Sequence, residues 1–324
     1  MKILVTGGAG FIGSNVVDGY IRAGHEVVVV DNLYTGRMEN LNPRAGFYLM
    51  DVRAGELEKV FEIERPDVVN HHAAQMSVPA SVEDPRFDAD VNIMGILNLL
   101  ENSVRYGVKK FIFISTGGAV YGEKEDLPTS EDAVPEPRSP YAITKYSSEI
   151  YLNYYRFQHG LDYTILRYAN IYGPRQVPHG EAGVVAIFTR KMLSGELPTI
   201  YRYPDQEDGM TRDYCYVGDV VRANILALEG GSATVFNIGT GVETTTGELY
   251  RTVLGALRDE GIALDERFDT PNKGEARPGD LRRSALDYGR AERELGWSPE
   301  YDLIKGIRET VRYEIEQSVK GKGD

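Results

Sequence analysis

The chain has 324 residues, 42% hydrophobic and 26% charged, which suits a soluble globular protein large enough to bury a real core and excludes a disordered or fibrous chain. A formal net charge of −13 with no basic run argues against a nucleic-acid or anionic-membrane partner. The single cysteine, Cys215, rules out an intramolecular disulfide, and no apolar stretch nears the roughly 18 residues of a membrane span, so a cytoplasmic location is expected.

KILVT (2–6) is a short β-rich run, too brief for a secretory h-region, and it ends in a glycine-rich turn. Apolar residues at Ile12, Val16, Val17, Tyr20 and Ile21 then recur at helical spacing until Gly24. EVVVVD (26–31) is nearly continuous in β-branched residues, the mark of a strand buried on both faces. FYLMDV (47–52), PDVVNHHAA (66–74), KKFIFIST (109–116) and LDYTILRYAN (161–170) continue the strand series. Helical segments lie between them, Ala89 to Arg105 among them. Such alternation predicts an α/β fold with a doubly wound parallel sheet. After residue 170, Pro and Gly punctuate shorter segments, which predicts a smaller mixed α/β lobe. The expected division is 1–170 for a dinucleotide and 171–324 for a second ligand, with some later segments returning to the sheet.

Gly7, Gly10 and Gly13 fall in TGGAGFIGS, after the first strand and at the opening of a helix. They permit a tight turn and close backbone approach to a pyrophosphate, which the helix N-terminus then attracts. Asp31 ends the second strand, 18 residues after Gly13. A carboxylate there accepts hydrogen bonds from the adenosine ribose and repels a 2′-phosphate, so the reading is a Rossmann-type site for NAD rather than NADP.

SPYAITK (139–145) sets Tyr141 and Lys145 one helical turn apart, with Ser139 as a predicted N-cap and Pro140 at the first helical position. A free phenol, with a pKa near ~10, is a poor base; lowering it by ~3 units takes roughly 4 kcal/mol. One ammonium at ~4 Å in an effective dielectric of ~20 supplies energy of that order. Tyr141 is therefore the candidate general base and acid, with Lys145 as its partner. Tyr-x-x-x-Lys recurs by chance in many proteins; its place after KKFIFIST in a dinucleotide-binding chain gives it weight. The five histidines show no metal-ligand spacing, so no metal is expected. The tyrosine-rich segment at 146–157 reads as core and interface.

TGGAGFIGS, Asp31-Asn32, HHAAQMSV (71–78), VNIMGILNLL (91–100), STGGAVYG (115–122), SPYAITK and RYANIYGP (167–174) follow one another as in extended short-chain dehydrogenase/reductases, which the whole chain resembles. The stretches 198–221, FNIGTG (236–241) and ARPGDLRRS (276–284) are similar to the nucleotide-sugar lobe of UDP-glucose 4-epimerases. The resemblance implies dinucleotide contacts at Gly7, Gly10, Phe11, Ile12 and Gly13, at Asp31, Asn32, Asp51 and Val52, and at Ala73, Ala74, Gln75, Asn92, Ser115, Tyr141, Lys145 and Tyr168. It implies UDP-sugar contacts at Thr116, Tyr141, Asn170, Tyr201, Arg212 and Arg277, with Asp280 and Ser284 nearby.

The activity so implied is interconversion of UDP-glucose and UDP-galactose by transient oxidation at C4. Related 4,6-dehydratases carry an Asp-Glu pair just after the strand-end Ser/Thr; this chain reads Ser115-Thr116-Gly117-Gly118 there, which leaves no acid or base for elimination. Counting back from Tyr121-Gly122 puts Gly117 at the catalytic hydroxyl position; counting back from Tyr141 puts Thr116 there, and the needed hydroxyl selects Thr116. Met76 stands where many epimerases have a lysine near the pyrophosphate. Ser284 stands where some have a bulky tyrosine beside the sugar C2 substituent. The alternatives are another nucleotide-sugar epimerase or reductase of this branch, and a non-catalytic NAD-binding protein, against which Tyr141 and Lys145 argue. A homodimer built on helices near 89–105 and 142–158 is also implied.

Overall fold

The structure, a computed structural model, describes residues 1–178, 183–276 and 280–320. The chain begins with β1 (Lys2–Thr6), α1 (Phe11–Arg22), β2 (Glu26–Asp31), β3 (Gly46–Leu49), α2 (Leu57–Glu64) and β4 (Val68–His71). Two short helices, α3 (Val78–Glu83) and α4 (Pro85–Ala89), lead through a π-helical turn at Asp90–Met94 into α5 (Gly95–Arg105). Then come β5 (Lys110–Thr116), α6 (Gly117–Val120), α7 (Pro140–His159), β6 (Asp162–Tyr168) and β7 (Asn170–Tyr172). The later part comprises α8 (Val184–Leu193), β8 (Thr199–Arg202), β9 (Thr211–Arg212), β10 (Tyr214–Tyr216), α9 (Val217–Ala227) and β11 (Thr234–Ile238). It closes with β12 (Thr244–Thr245), α10 (Thr246–Asp259), β13 (Asn272–Glu275), α11 (Gly289–Leu295) and α12 (Leu303–Lys320).

Seven strands form one parallel sheet in the order β11-β6-β5-β4-β1-β2-β3. The β-branched run in β2 is buried from Val27 to Asp31, because helices cover both faces of this sheet. One face packs under α1 and α9 around Val16, Tyr20, Val29, Val220 and Trp297. The other packs under α2, α5 and α7 around Leu4, Phe61, Leu99, Phe113 and Leu152. Strand order reverses between β1 and β4, so a crevice opens beyond Thr6 and His71 at their carboxyl ends.

The remaining short strands pair as β7 with β10, β8 with β13 and β9 with β12. They sit beside a separate apolar core in which Phe188, Tyr250, Leu257, Ile307 and Val311 join α8, α10 and α12. The strand that returns from this half to the main sheet is β11, paired in parallel with β6. Two details differ from the sequence-based expectation. Ala89 to Arg105 is not one regular helix, because the π turn interrupts it, and the strand expected at 47–52 ends at Leu49.

Candidate active site

The glycine loop fits the close approach expected of it. Gly7 has φ +69, and a Cβ there would lie 2.6 Å from the Ala73 nitrogen; at Gly13 it would lie 2.2 Å from the Gly7 oxygen. A side chain at either position would fill the loop, and the first N–H groups of α1 face outward beside it. The Asp31 carboxylate is buried and accepts from the backbone N–H of Ala9 (3.0 Å) and of Leu33 (2.8 Å). Asn32 donates to Asp51 at 2.9 Å, and the Arg53 guanidinium holds that carboxylate well below the usual range. Val52 is buried beside them. Asp31, Asn32, Asp51 and Val52 thus gather at the ends of β2 and β3, and Phe11 and Ile12 open α1.

Across the crevice, Ala73 donates its N–H to Thr6 Oγ1 at 3.2 Å, and Ala74 follows it in the same loop. The Asn92 side chain clamps Gln75 in both directions: Oδ1 accepts from the Gln75 N–H at 2.9 Å, and Nδ2 donates to the Gln75 carbonyl at 3.0 Å. These groups line the end of a dinucleotide crevice opposite the adenine-side residues, so the arrangement suits NAD along its length.

Ser139 caps α7 by accepting from the Ala142 N–H at 3.2 Å, and Pro140 occupies the first turn. The Thr116 side chain lies beside the Tyr141 phenol and favours its ionised form. Burial, and next the Asp88 carboxylate, push the phenol up, against the effect of Thr116. Lys145 is buried; its Nζ donates to the Ile114 carbonyl at 2.9 Å and lies 4.9 Å from the Phe113 ring centroid. Burial lowers it to about 8, while Asp88 and Glu149 work to raise it. The depression of the tyrosine expected from Lys145 thus needs the added charge of a bound cofactor. The ammonium is committed to a carbonyl, and Asp88 opposes the phenolate.

Adjacent residues at the end of β5 face opposite ways, as the pleat requires. Thr116 meets Tyr141, whereas the Ser115 hydroxyl donates to Glu149 at 2.5 Å. The Ser115 side chain is thus occupied away from Tyr141, and only its backbone is left for a cofactor. Tyr168 is buried, with its hydroxyl accepting from Asn224 at 2.6 Å, so its phenol supports the crevice and its backbone is left for a cofactor.

On the substrate side, a Cβ at Gly118 would lie 3.5 Å from Asn170 Oδ1 and 4.0 Å from Thr116 Oγ1, so these groups border one space. The Tyr201 ring lies on Gly274 of β13, whose strand leads towards Arg277; Arg277 itself lies outside the described residues. Arg212 donates to the Thr211 carbonyl at 2.8 Å and reaches the Met210 sulphur at 3.8 Å. Among the described residues it forms no ion pair, which leaves a partly buried guanidinium suited to an anionic ligand. The Asp280 carbonyl accepts from the Tyr203 hydroxyl at 2.6 Å. Ser284 is buried two residues before Leu286, the side chain against Gly117.

Sequence reasoning missed Glu149, Arg167 and Asp88. Glu149 had a signal, since Tyr141, Lys145 and Glu149 recur at four-residue spacing on one helix face. Asp88 had none, because its partners are distant in sequence. Among the described residues no cluster of three or more His, Cys, Asp or Glu is arranged to hold a metal ion.

Comparison with known proteins places these features in context. The profile of the NAD dependent epimerase/dehydratase family matches residues 3–239. A UDP-glucose 4-epimerase of Mycolicibacterium smegmatis is 46% identical, with 97% of this chain and 98% of that protein covered. The crystal structure of a UDP-glucose 4-epimerase with UDP-glucose from Thermotoga maritima matches at TM-score 0.91 and 52% identity, covering 98% of this chain and 100% of that one. A Thermus thermophilus UDP-glucose 4-epimerase complexed with NAD matches at TM-score 0.89 and 46% identity, covering 97% and 98%.

Proposed function

Because this chain belongs to the NAD-dependent epimerase/dehydratase family, we propose that it interconverts UDP-glucose and UDP-galactose with tightly held NAD. The observation that carries this reading is the Tyr141 phenol beside Thr116 and Asn170, at a strand end where Gly117 and Gly118 supply no carboxyl group. Such a site can move one proton at a sugar hydroxyl, and it lacks the acid pair that water loss requires there.

NAD, when bound, supplies the acceptor and donor for the C4 hydride. Gly7, Gly10, Gly13 and the start of α1 hold its pyrophosphate, and Asp31 its adenosine ribose. Thr116 orients the sugar 4-hydroxyl; Tyr141 removes its proton and later returns it to the keto oxygen. Lys145 carries the positive charge that favours the phenolate once substrate and cofactor enclose the pair. Arg212 and Arg277 grip the diphosphate, with Asn170 and Tyr201 on the same ligand. Residues 171–324 serve the nucleotide sugar, while α9 and β11 within that span complete the dinucleotide unit.

The test is incubation of the purified protein with UDP-glucose, and separately with UDP-galactose, without added cofactor. The same mixture of the two sugars is expected from either side. A 4-keto-6-deoxy product, or no conversion, would overturn the reading.

Ser284 bears on substrate breadth. A serine there leaves space beside the sugar C2 substituent, so UDP-N-acetylhexosamines are expected to turn over as well. Ser284→Tyr should cost their kcat/KM about 10- to 200-fold relative to the plain hexoses, the usual range for filling a small pocket. Equal losses for both sugar classes would show that another side chain sets the limit.

The assembly we propose is a cytoplasmic homodimer. Ile143, Ile150, Tyr154 and Phe157 on α7, with Phe87 and Met94 nearby, are exposed apolar residues along one side of the molecule. Light scattering at micromolar concentration should give twice the chain mass, and Tyr154→Glu should shift it towards the monomer. Among the described residues no helix is long and apolar enough to cross a membrane.

A further inference from the structure

We infer that Asp88 is a positioning residue for Tyr141 and Lys145, a buried anion that locks the first turn of α7 to the Asn92 turn and balances the charge of the lysine. Asp88 is 0% exposed near the end of α4, whose start is fixed by the Asp84 side chain accepting from the Phe87 N–H at 3.0 Å. Its Oδ2 accepts from Thr144 Oγ1 at 2.7 Å, and its Oδ1 accepts from Gln75 Nε2 at 2.7 Å and from Asn92 Nδ2 at 3.1 Å. Thr144 stands between Tyr141 and Lys145 in sequence, and its hydroxyl also lies 3.0 Å from the Tyr141 carbonyl. One carboxylate therefore ties together the 73–75 loop, the π turn and the catalytic helix. A π turn adds a residue to the helical repeat and re-aims the side chains on it. Here it carries Asn92, whose amide reaches both Asp88 and Gln75.

These three donors are neutral, so hydrogen bonding alone does not balance a buried charge. The neighbouring buried cation on α7 is Lys145, directly after Thr144. The titratable groups around the two are Tyr141 and Glu149 on α7 and the imidazoles of His71 and His72 at the end of β4, which burial keeps neutral. Asp90, on the π turn, pairs outward with Arg53 at 2.5 Å. Burial pulls Lys145 down to about 8, and the Asp88 carboxylate, more than Glu149, works against it. Without that anion the ammonium loses its proton at lower pH.

This inference rests on the proposed epimerase reading, and one arm of its test does not. In holoenzyme containing 13Cε-labelled lysine, the Lys145 resonance is assigned by its loss in Lys145→Met and titrated by NMR. Asp88→Asn keeps the shape and removes the charge. It is expected to lower the Lys145 midpoint by at least about one unit, the effect of one unit charge lost ~12 Å away in an effective dielectric of ~20. The high-pH limb of UDP-galactose turnover should move down with it. Thr144→Val should leave both midpoints in place while cutting kcat about tenfold with little change in KM. An unmoved midpoint in Asp88→Asn would reduce Asp88 to a packing role and overturn the inference. Should that variant not fold, wild-type kcat in Thr144→Val would do the same. If the wild type turns over neither sugar, the function falls while the lysine titration still decides Asp88.

Discussion

Tyr141→Phe is expected to lower kcat by about 10³-fold, within the range for general acid–base groups, while UDP-sugar binding changes little. Only the phenolic oxygen is lost. That oxygen lies beside Thr116, and its proton transfer belongs to the transition state rather than the ground state. The neighbouring hydroxyls should then rank clearly. Thr116→Ala leaves Tyr141 without its orienting partner but lets water substitute, so a loss of roughly 10- to 100-fold in kcat is expected, below that of the phenol itself. Ser115→Ala touches the Glu149 carboxylate instead, so its effect should show in stability more than in kcat. Steady-state kinetics on the three variants, with UDP affinity measured separately, checks the order. A larger kcat loss from Ser115→Ala than from Thr116→Ala would place the catalytic hydroxyl wrongly, and wild-type turnover in Tyr141→Phe would put the base elsewhere.

How much of this was readable before the structure depends on the distance over which each feature is encoded. The glycine loop, Asp31 and the Tyr141–Lys145 spacing are each written within one turn or one loop, and the fold brings them to a single crevice without changing their neighbours. The choice between Ser115 and Thr116 is different. Adjacent residues on a strand face opposite sides, so a one-residue uncertainty in alignment swaps the functions of the two hydroxyls. Only packing against Glu149 on α7 reveals which one turns away. The direction of the Tyr168 phenol, towards Asn224, is likewise fixed by packing rather than by local sequence. The π turn is invisible to periodicity, which reads 89–105 as continuous apolar helix. The return of 234–238 to the sheet was foreseen in kind but not in place. TVFNI is too short to carry its own address, and its pairing with β6 follows from α9 lying against α1.

The largest effect on stability is expected away from the reacting atoms, at the ion pair of Arg167 and Glu149. Both side chains are 5% exposed, and the pair is bidentate: Arg167 Nε donates to Glu149 Oε1 at 3.0 Å and Nη2 to Oε2 at 2.5 Å. The remaining polar atoms are also engaged. Arg167 Nη1 donates to the Tyr121 hydroxyl at 2.8 Å, that hydroxyl donates to Asn237 Oδ1 at 2.8 Å, and Ser115 completes the Glu149 side. The network joins β5, β6, β11 and α7 directly behind Thr116 and Lys145. Arg167→Met would strand a carboxylate in a site water does not reach, at a cost of about 3–5 kcal/mol. Adding Glu149→Leu removes the stranded charge, so the double variant should recover most of that loss, because a buried pair contributes little net stability once its desolvation is counted. Urea midpoints measured at fixed NAD concentration separate the two, since ligand held by the folded state shifts every variant equally only when its concentration is matched. If Arg167→Met lost less than about 1 kcal/mol, as exposed pairs do, the site would have to be hydrated in solution. If the double variant were as unstable as the single, the network's worth would lie in the Tyr121 and Ser115 hydrogen bonds rather than in the charges. Turnover in the double variant then tells whether the strand end needs the pair: its loss with stability restored would mean that Glu149 and Arg167 hold Thr116 and Lys145 in register, not merely the sheet together.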